Sequence, residues 1–174
     1  MSGRLYAVVP AAGFGARMGS EVPKQYLSLA GRTVLEHTVW RLAGHPAIVR
    51  IIVAVSPGDE RYAELATRLP NNVERADGGD ERCHSVLNGL HALNGRADDD
   101  DWVMVHDAAR PCVRRADLDR MLDELGDDPV GGILAVPVRD TLKRAAITQH
   151  IVATVDRSQL WQAQTPQIDR KSVV

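Results

Sequence analysis

The sequence has little cysteine: Cys83 and Cys112 are the only two in 174 residues. Such a pair makes neither a disulfide framework nor a spaced metal site, so both read as reduced thiols of a cytosolic protein. Long apolar runs are also missing. No stretch approaches the roughly 20 residues that cross a bilayer, and the N-terminus MSGRLYAVVPAAG lacks the apolar core and cleavage site of a secretory signal. These absences predict a cytoplasmic chain with no membrane partner. Excess positive charge is absent too, since Lys+Arg number 21 against 23 Asp+Glu, a formal net charge of −2. No bulk field therefore points to nucleic acid, and cations that serve an anionic ligand must be local. The length suits one domain, residues 1–174, around a single core.

Two familiar glycine loops are missing as well. Lys24 comes five residues after Gly19, which breaks the P-loop pattern. Gly13, Gly15 and Gly19 are spaced one residue too widely for a dinucleotide fingerprint, and the next predicted strand runs into Ser56-Pro57-Gly58 instead of an acidic residue. Both departures argue against hydride transfer.

What the chain does have begins at Leu5. Leu5, Ala7, Val8 and Val9 form an apolar run without polar alternation, which predicts a strand buried on both faces. It breaks into Pro10-Ala11-Ala12-Gly13-Phe14-Gly15-Ala16-Arg17-Met18-Gly19. Small residues let this backbone approach a ligand closely and aim N–H groups at an anion. Arg17 and Lys24 follow, the lysine directly after Pro23. A strand, a glycine-rich turn and then basic side chains suit a polyphosphate, although such a turn is also a common tight connection.

Apolar runs and helix-period segments then alternate. Helices are predicted over 33–43 (with Thr33 as N-cap partnered by Glu36), 60–69, 81–93 and 116–125. Strands are predicted over 48–55, 73–76, 102–106 and 131–137, the last a continuous apolar run. The order βαβαβαβαβ gives an α/β layer fold with a largely parallel sheet flanked by helices. Ligands of such sheets sit outside the carboxyl ends of strands, where Gly13, Gly79 and Asp107 all fall. Asp98–Asp101 reads as a solvated loop, because consecutive carboxylates point different ways. Residues 138–155 mix charge with isolated apolar residues and do not read as a core helix.

The motif P-A-A-G-x-G-x-R-M followed by P-K-Q-Y resembles the nucleotidyltransferase signature, most closely that of the 2-C-methyl-D-erythritol 4-phosphate cytidylyltransferase family. Four further groups of segments keep the family's order: Asp77-Gly78-Gly79-Asp80-Glu81-Arg82 with Ser85; Val105-His106-Asp107-Ala108-Ala109-Arg110-Pro111; Pro137 through Lys143; and Thr154-Val155-Asp156-Arg157 with Thr165-Pro166-Gln167. The resemblance implies a Rossmann-like nucleotidyltransferase fold with a protruding β-arm at about 138–156 that embraces a second subunit, hence a homodimer. An ordinary hairpin excursion is the alternative for that arm. The implied activity is transfer of CMP from CTP to 2-C-methyl-D-erythritol 4-phosphate in non-mevalonate isoprenoid precursor biosynthesis, with Mg²⁺.

The resemblance assigns Arg17, Lys24 and Arg157 to catalysis. It assigns Pro10, Ala11, Ala12, Gly13, Gly15, Gly79, Asp80, Ser85 and Asp107 to the nucleotide, and Arg110, Thr141, Arg157 and Thr165 to the acceptor. Residue chemistry agrees at several points. Arg17 offers a planar fork and Lys24 a compact charge to phosphate oxygens. Asp107, at a strand end, is a hard oxygen donor suited to Mg²⁺, or else a turn cap. Arg157 suits a phosphate clamp or a surface ion pair. His106 reads as structural, since an acceptor phosphate is already anionic and needs no general base.

The family continues past Thr165-Pro166-Gln167 with a further metal-binding aspartate and an acceptor-binding lysine, whereas this chain ends at Val174. The expectation is a chain truncated at its C-terminus that binds CTP while turnover is weak or absent. Two alternatives stand beside it: a cytidylyltransferase for another polyol phosphate such as ribitol 5-phosphate, and a non-catalytic nucleotide-binding subunit.

Overall fold

The computed structural model describes residues 3–13 and 22–173. The elements in order are β1 (Leu5–Pro10), a 3-10 turn (Lys24–Tyr26), β2 (Ser28–Leu29), β3 (Arg32–Thr33), α1 (Val34–Ala43), β4 (Ile48–Val55), α2 (Glu60–Ala66), β5 (Val73–Asp77), α3 (Arg82–His91), β6 (Trp102–Val105), α4 (Arg115–Glu124), β7 (Gly131–Pro137), β8 (Leu142–Ala145), β9 (Ile151–Val155) and β10 (Trp161–Arg170). Each predicted helix and strand is present, with ends shifted by a few residues. The cap at Thr33 forms as the sequence predicts: its hydroxyl accepts the Glu36 N–H, and the Glu36 carboxylate accepts the Thr33 N–H.

One six-stranded sheet has the order β5-β4-β1-β6-β10-β7. Strands β5, β4, β1 and β6 pair in parallel, while β10 runs antiparallel to both β6 and β7. The central strands bury both faces, which is why they read as unbroken apolar runs. Leu5, Ala7 and Val9 face one core with Leu35, Val39 and Leu65 from α1 and α2 and Leu118 from α4. Tyr6 and Val8 face the other with Ile52 and Leu93. There α3 lies so close to β1 that a Cβ on Gly89 would stand 2.5 Å from Val8 Cγ1.

Three expectations change. The run at 131–137 is an edge strand with Ile133 and Val136 about half exposed, because nothing covers its outer side among the described residues. The acidic loop is not wholly solvated. Asp101 is buried, its carboxylate accepting the Arg4 and Asp98 N–H groups at 2.7 and 2.9 Å and the Arg4 guanidinium at 2.9 Å. A loop carboxylate that satisfies backbone donors in this way is a fold element, not a solvated charge. The third change is β10, which the sequence pattern does not signal. Its Ile168 is fully buried between β6 and β7.

Beyond β7, β8 and β9 pair as a separate antiparallel hairpin. Its apolar side chains Ile147, Ile151 and Val152 are exposed. No helix of the described residues is long and apolar enough to cross a membrane.

Candidate nucleotide site

The carboxyl ends of β1, β5 and β6 meet at one crevice of about 210 Å³. Its first wall continues β1. The Ala11 N–H donates to Ala54 O at 2.7 Å, which ties the turn to the end of β4, and the Ser56 hydroxyl donates to Ala12 O at 2.9 Å. Gln25, buried behind this wall, donates its side-chain amide to Ala11 O at 2.8 Å and to Gly13 O at 3.1 Å. The 3-10 turn that carries Gln25 also sets Lys24 beside the crevice.

The second wall follows β5. The Gly78 N–H donates to Val55 O at 2.7 Å. A Cβ at Gly78 would fall 2.4 Å from the Cβ of Ala12, so only glycine lets the two walls approach this closely. The Gly79 N–H donates to the buried hydroxyl of Ser85 at 3.0 Å, which folds the Gly79-Asp80 turn back on the start of α3.

The third wall follows β6. Asp107 accepts from Arg82 Nε at 2.9 Å and pairs with Arg110 Nε at 3.1 Å, and its own N–H donates to Thr165 Oγ1 at 3.3 Å. Arg110 also donates to the Gln164 side chain. His106 is buried and fixes this turn. A carbonyl only accepts, so His106 Nε2 carries the proton given to Arg110 O at 2.9 Å. Nδ1 is then a bare acceptor, without a partner among the described residues. Burial pushes the imidazole pKa below its ordinary value, against the smaller opposing effects of the Arg110 carbonyl and Asp107. A neutral, fixed ring is what a structural histidine requires.

Pro10, Ala11, Ala12, Gly13, Lys24, Gly79, Asp80, Ser85 and Asp107 thus line one crevice. Arg17 and Gly15 lie outside the described residues. Arg110 and Thr165 touch the crevice through Asp107. Thr141 and Arg157, at the two feet of the hairpin, are exposed and do not line it. Sequence reasoning left five lining residues without a role: Gln25, Glu81, Arg82, Ala108 and Ala109. Gln25 sat inside the P-K-Q-Y motif, and only its burial reveals its work. Arg82 closed the D-G-G-D-E-R block without a role.

The crevice offers backbone N–H groups, a lysine and an arginine to an anion, and carboxylates to a hard cation. Comparisons with known proteins agree with that chemistry. Residues 5–174 match the family model described as 2-C-methyl-D-erythritol 4-phosphate cytidylyltransferase (IspD). A protein of that name from Pseudomonas putida (strain GB-1) is 54% identical over 166 residues, covering 95% of this chain and 71% of the relative. Another, from Pseudomonas fluorescens (strain SBW25), is 53% identical over 174 residues, covering 98% and 74%. Among solved structures, a 4-diphosphocytidyl-2C-methyl-D-erythritol synthase superposes with a TM-score of 0.85 at 40% identity, covering 99% of this chain and 76% of that one. The cytidylyltransferase of Francisella tularensis gives 0.79 at 34% identity, covering 97% and 73%.

Proposed function

This chain belongs to the 2-C-methyl-D-erythritol 4-phosphate cytidylyltransferase family, and from that membership we infer that it transfers CMP from CTP to 2-C-methyl-D-erythritol 4-phosphate, forming 4-diphosphocytidyl-2-C-methyl-D-erythritol in isoprenoid biosynthesis. A phosphate oxygen of the acceptor attacks the α-phosphorus of CTP, and the bond to the β-phosphate oxygen breaks. Pyrophosphate leaves with that electron pair. The obstacle is an anion attacking a polyanion, so positioning and electrostatic stabilisation carry the reaction, with no protein nucleophile.

The observation that carries this reading is the convergence of three strand ends, with Lys24, on one crevice. In the proposed arrangement the Gly13 turn receives the triphosphate, and Lys24 sits against the charge that develops on the leaving group. A cation about 4 Å from that charge gains roughly 4 kcal/mol at an effective dielectric of about 20. Arg17 shares this work by its place in the motif. The Gly79-Asp80 turn, held by Ser85, faces the base. Ala11 O is an acceptor for the cytosine amine through the lone pair that Gln25 leaves unused.

Mg²⁺ fits the donor set. Asp107 is a partly exposed carboxylate at a strand end, and such an ion takes one or two carboxylates and completes its shell with phosphate oxygens and water. Asp107 would hold it, and the ion would neutralise charge on the triphosphate. Arg82 and Arg110 hold that carboxylate in place by their ion pairs.

Thr141 and Arg157 stand outside the crevice of their own chain. The exposed apolar hairpin that bears them fits the role of an arm around a second copy, which would complete the acceptor site with Arg110 and Thr165. The test is pyrophosphate release by the purified chain with CTP, Mg²⁺ and the acceptor, run beside ribitol 5-phosphate. Release with methylerythritol phosphate alone supports the reading. Bound CTP with no release refutes catalysis by this chain, and release with ribitol phosphate alone refutes the acceptor.

A further inference from the structure

The lip of the crevice carries a second group of ligating side chains that the transfer reaction does not use. Glu81, Cys83 and His84 are all exposed, and one ligand atom from each lies within 4.8 Å of the others. We propose that Glu81, Cys83 and His84 form a binding site for a borderline-soft divalent cation of the zinc class.

Local structure brings the three together. Glu81 is the N-cap of α3 in extended conformation (φ −115°, ψ 163°), while Cys83 and His84 occupy the helix's first turn. The carboxylate makes no cap hydrogen bond to the helix, so it has no backbone duty there and turns over the first turn instead. Gly79 provides the room, since a Cβ at that position would fall 2.4 Å from His84 Cβ.

The edge between Glu81 and Cys83, across which the thiol donates to the carboxylate, suits a tetrahedral ion. Cys83 Sγ stands 3.6 Å from Glu81 Oε2. Zinc bonds of about 2.3 Å to sulfur and about 2.1 Å to oxygen, at a tetrahedral angle, set that edge at about 3.6 Å. Thiolate, imidazole and carboxylate supply three ligands, and water takes the fourth place. Binding releases the thiol proton to solvent.

Softness separates this site from Asp107. Mg²⁺ demands oxygen ligands and keeps its water, whereas thiolate and imidazole favour zinc. The two cations therefore sort to different ends of the same crevice.

The test is a titration of the metal-stripped full chain, in excess Mg²⁺, with Co²⁺ as a spectroscopic stand-in and Zn²⁺ as competitor. The expected result is a near-ultraviolet thiolate-to-cobalt band that saturates at one ion per chain and is erased by Zn²⁺. Cys83→Ser removes the band, Cys112→Ser keeps it, and His84→Ala lowers affinity by at least about tenfold, the lower end of what losing even an outer-shell partner costs. Circular dichroism checks that each variant is folded. Absence of the band, its survival in Cys83→Ser, its loss in Cys112→Ser, or unchanged affinity in His84→Ala each overturns the site.

Discussion

Replacing Gly78 with alanine separates the shape of the crevice from its charge. A Cβ at this position would stand 2.4 Å from Ala12 Cβ, 3.1 Å from Ser85 Oγ and 3.3 Å from Val55 O. Carbon atoms in ordinary contact are about 3.5–4.0 Å apart, so the two walls must part by about 1 Å or more. Neither wall yields cheaply. Ala12 has no side-chain torsion to adjust, and its carbonyl is bonded to Ser56. Ser85 is buried and holds the Gly79 N–H. Overpacking of this kind costs about 1–3 kcal/mol, or a melting temperature lower by about 2–4 °C per kcal/mol in a chain of this size. The larger effect is on function, since a displacement of about 1 Å in a positioned site costs on the order of 10²-fold. Calorimetry with CTP and pyrophosphate release are the assays. The expected variant is folded, binds CTP at least about tenfold more weakly and turns over about 10²-fold more slowly. A folded Gly78→Ala protein with unchanged CTP affinity and rate would refute the claim that the close approach of these walls builds the nucleotide site.

Lys24→Ala and Arg17→Ala each slow turnover by about 10²-fold or more. A near-normal rate in steady-state assays removes that residue from the mechanism. Asp107→Asn leaves the melting temperature close to that of the parent, because its ion pairs with Arg82 and Arg110 are half-exposed and stabilise little. It lowers turnover and weakens Mg²⁺ dependence, and an unchanged Mg²⁺ titration would exclude it as ligand. Gln25→Leu strips the donor from Ala11 O and Gly13 O and raises the KM for CTP; an unchanged KM would show that the turn holds its shape without this anchor. Asp101→Asn lowers the melting temperature by about 5 °C at pH 7 through lost charge-assisted hydrogen bonds. Burial alone would raise the Asp101 pKa, but the N–H groups of Arg4 and Asp98 and the Arg4 guanidinium outweigh it and hold the carboxyl below its ordinary value. Its contribution is therefore present above the ordinary carboxylate range and is lost as pH falls through the depressed folded value. Melting curves of parent and variant should converge in acid, and a gap that persists there contradicts this origin.

The parallel half of the sheet was legible because both its faces are buried, so β1, β4 and β6 appear in the sequence as bare apolar runs. The turns after β1, β5 and β6 that line the crevice were legible for a related reason: close backbone approach demands small residues, and these leave a glycine signature. Gln25 and Asp101 were not legible. A buried polar side chain looks like any surface glutamine or aspartate until its partners are known, and most of those partners (Ala11 O, Gly13 O, the Arg4 and Asp98 N–H groups) are backbone groups without residue identity. Strand β10 failed for another reason. Trp161-Gln162-Ala163-Gln164-Thr165-Pro166-Gln167 alternates too weakly to signal a strand, and its place follows from the two neighbours that lack a partner without it. Thr141 and Arg157 came from motif order alone, and the structure places both outside the crevice.

The position of β10 has a consequence for synthesis. Strand β7 leaves the ribosome well before β10, its one sheet neighbour among the described residues, and the whole hairpin must emerge in between. Until Trp161–Arg170 is made, β7 has bare edges on both sides, and the β6 edge that will receive Ile168 is also open. Such edges invite pairing with other nascent chains. The arriving segment fills the gap between β6 and β7, closing one edge of each, and brings the Thr165 hydroxyl to the Asp107 N–H in the same movement. Joining β6 to β7 and completing the crevice's third wall are thus a single folding event, and a ribosome-stalled chain that stops before Trp161 should expose both defects together.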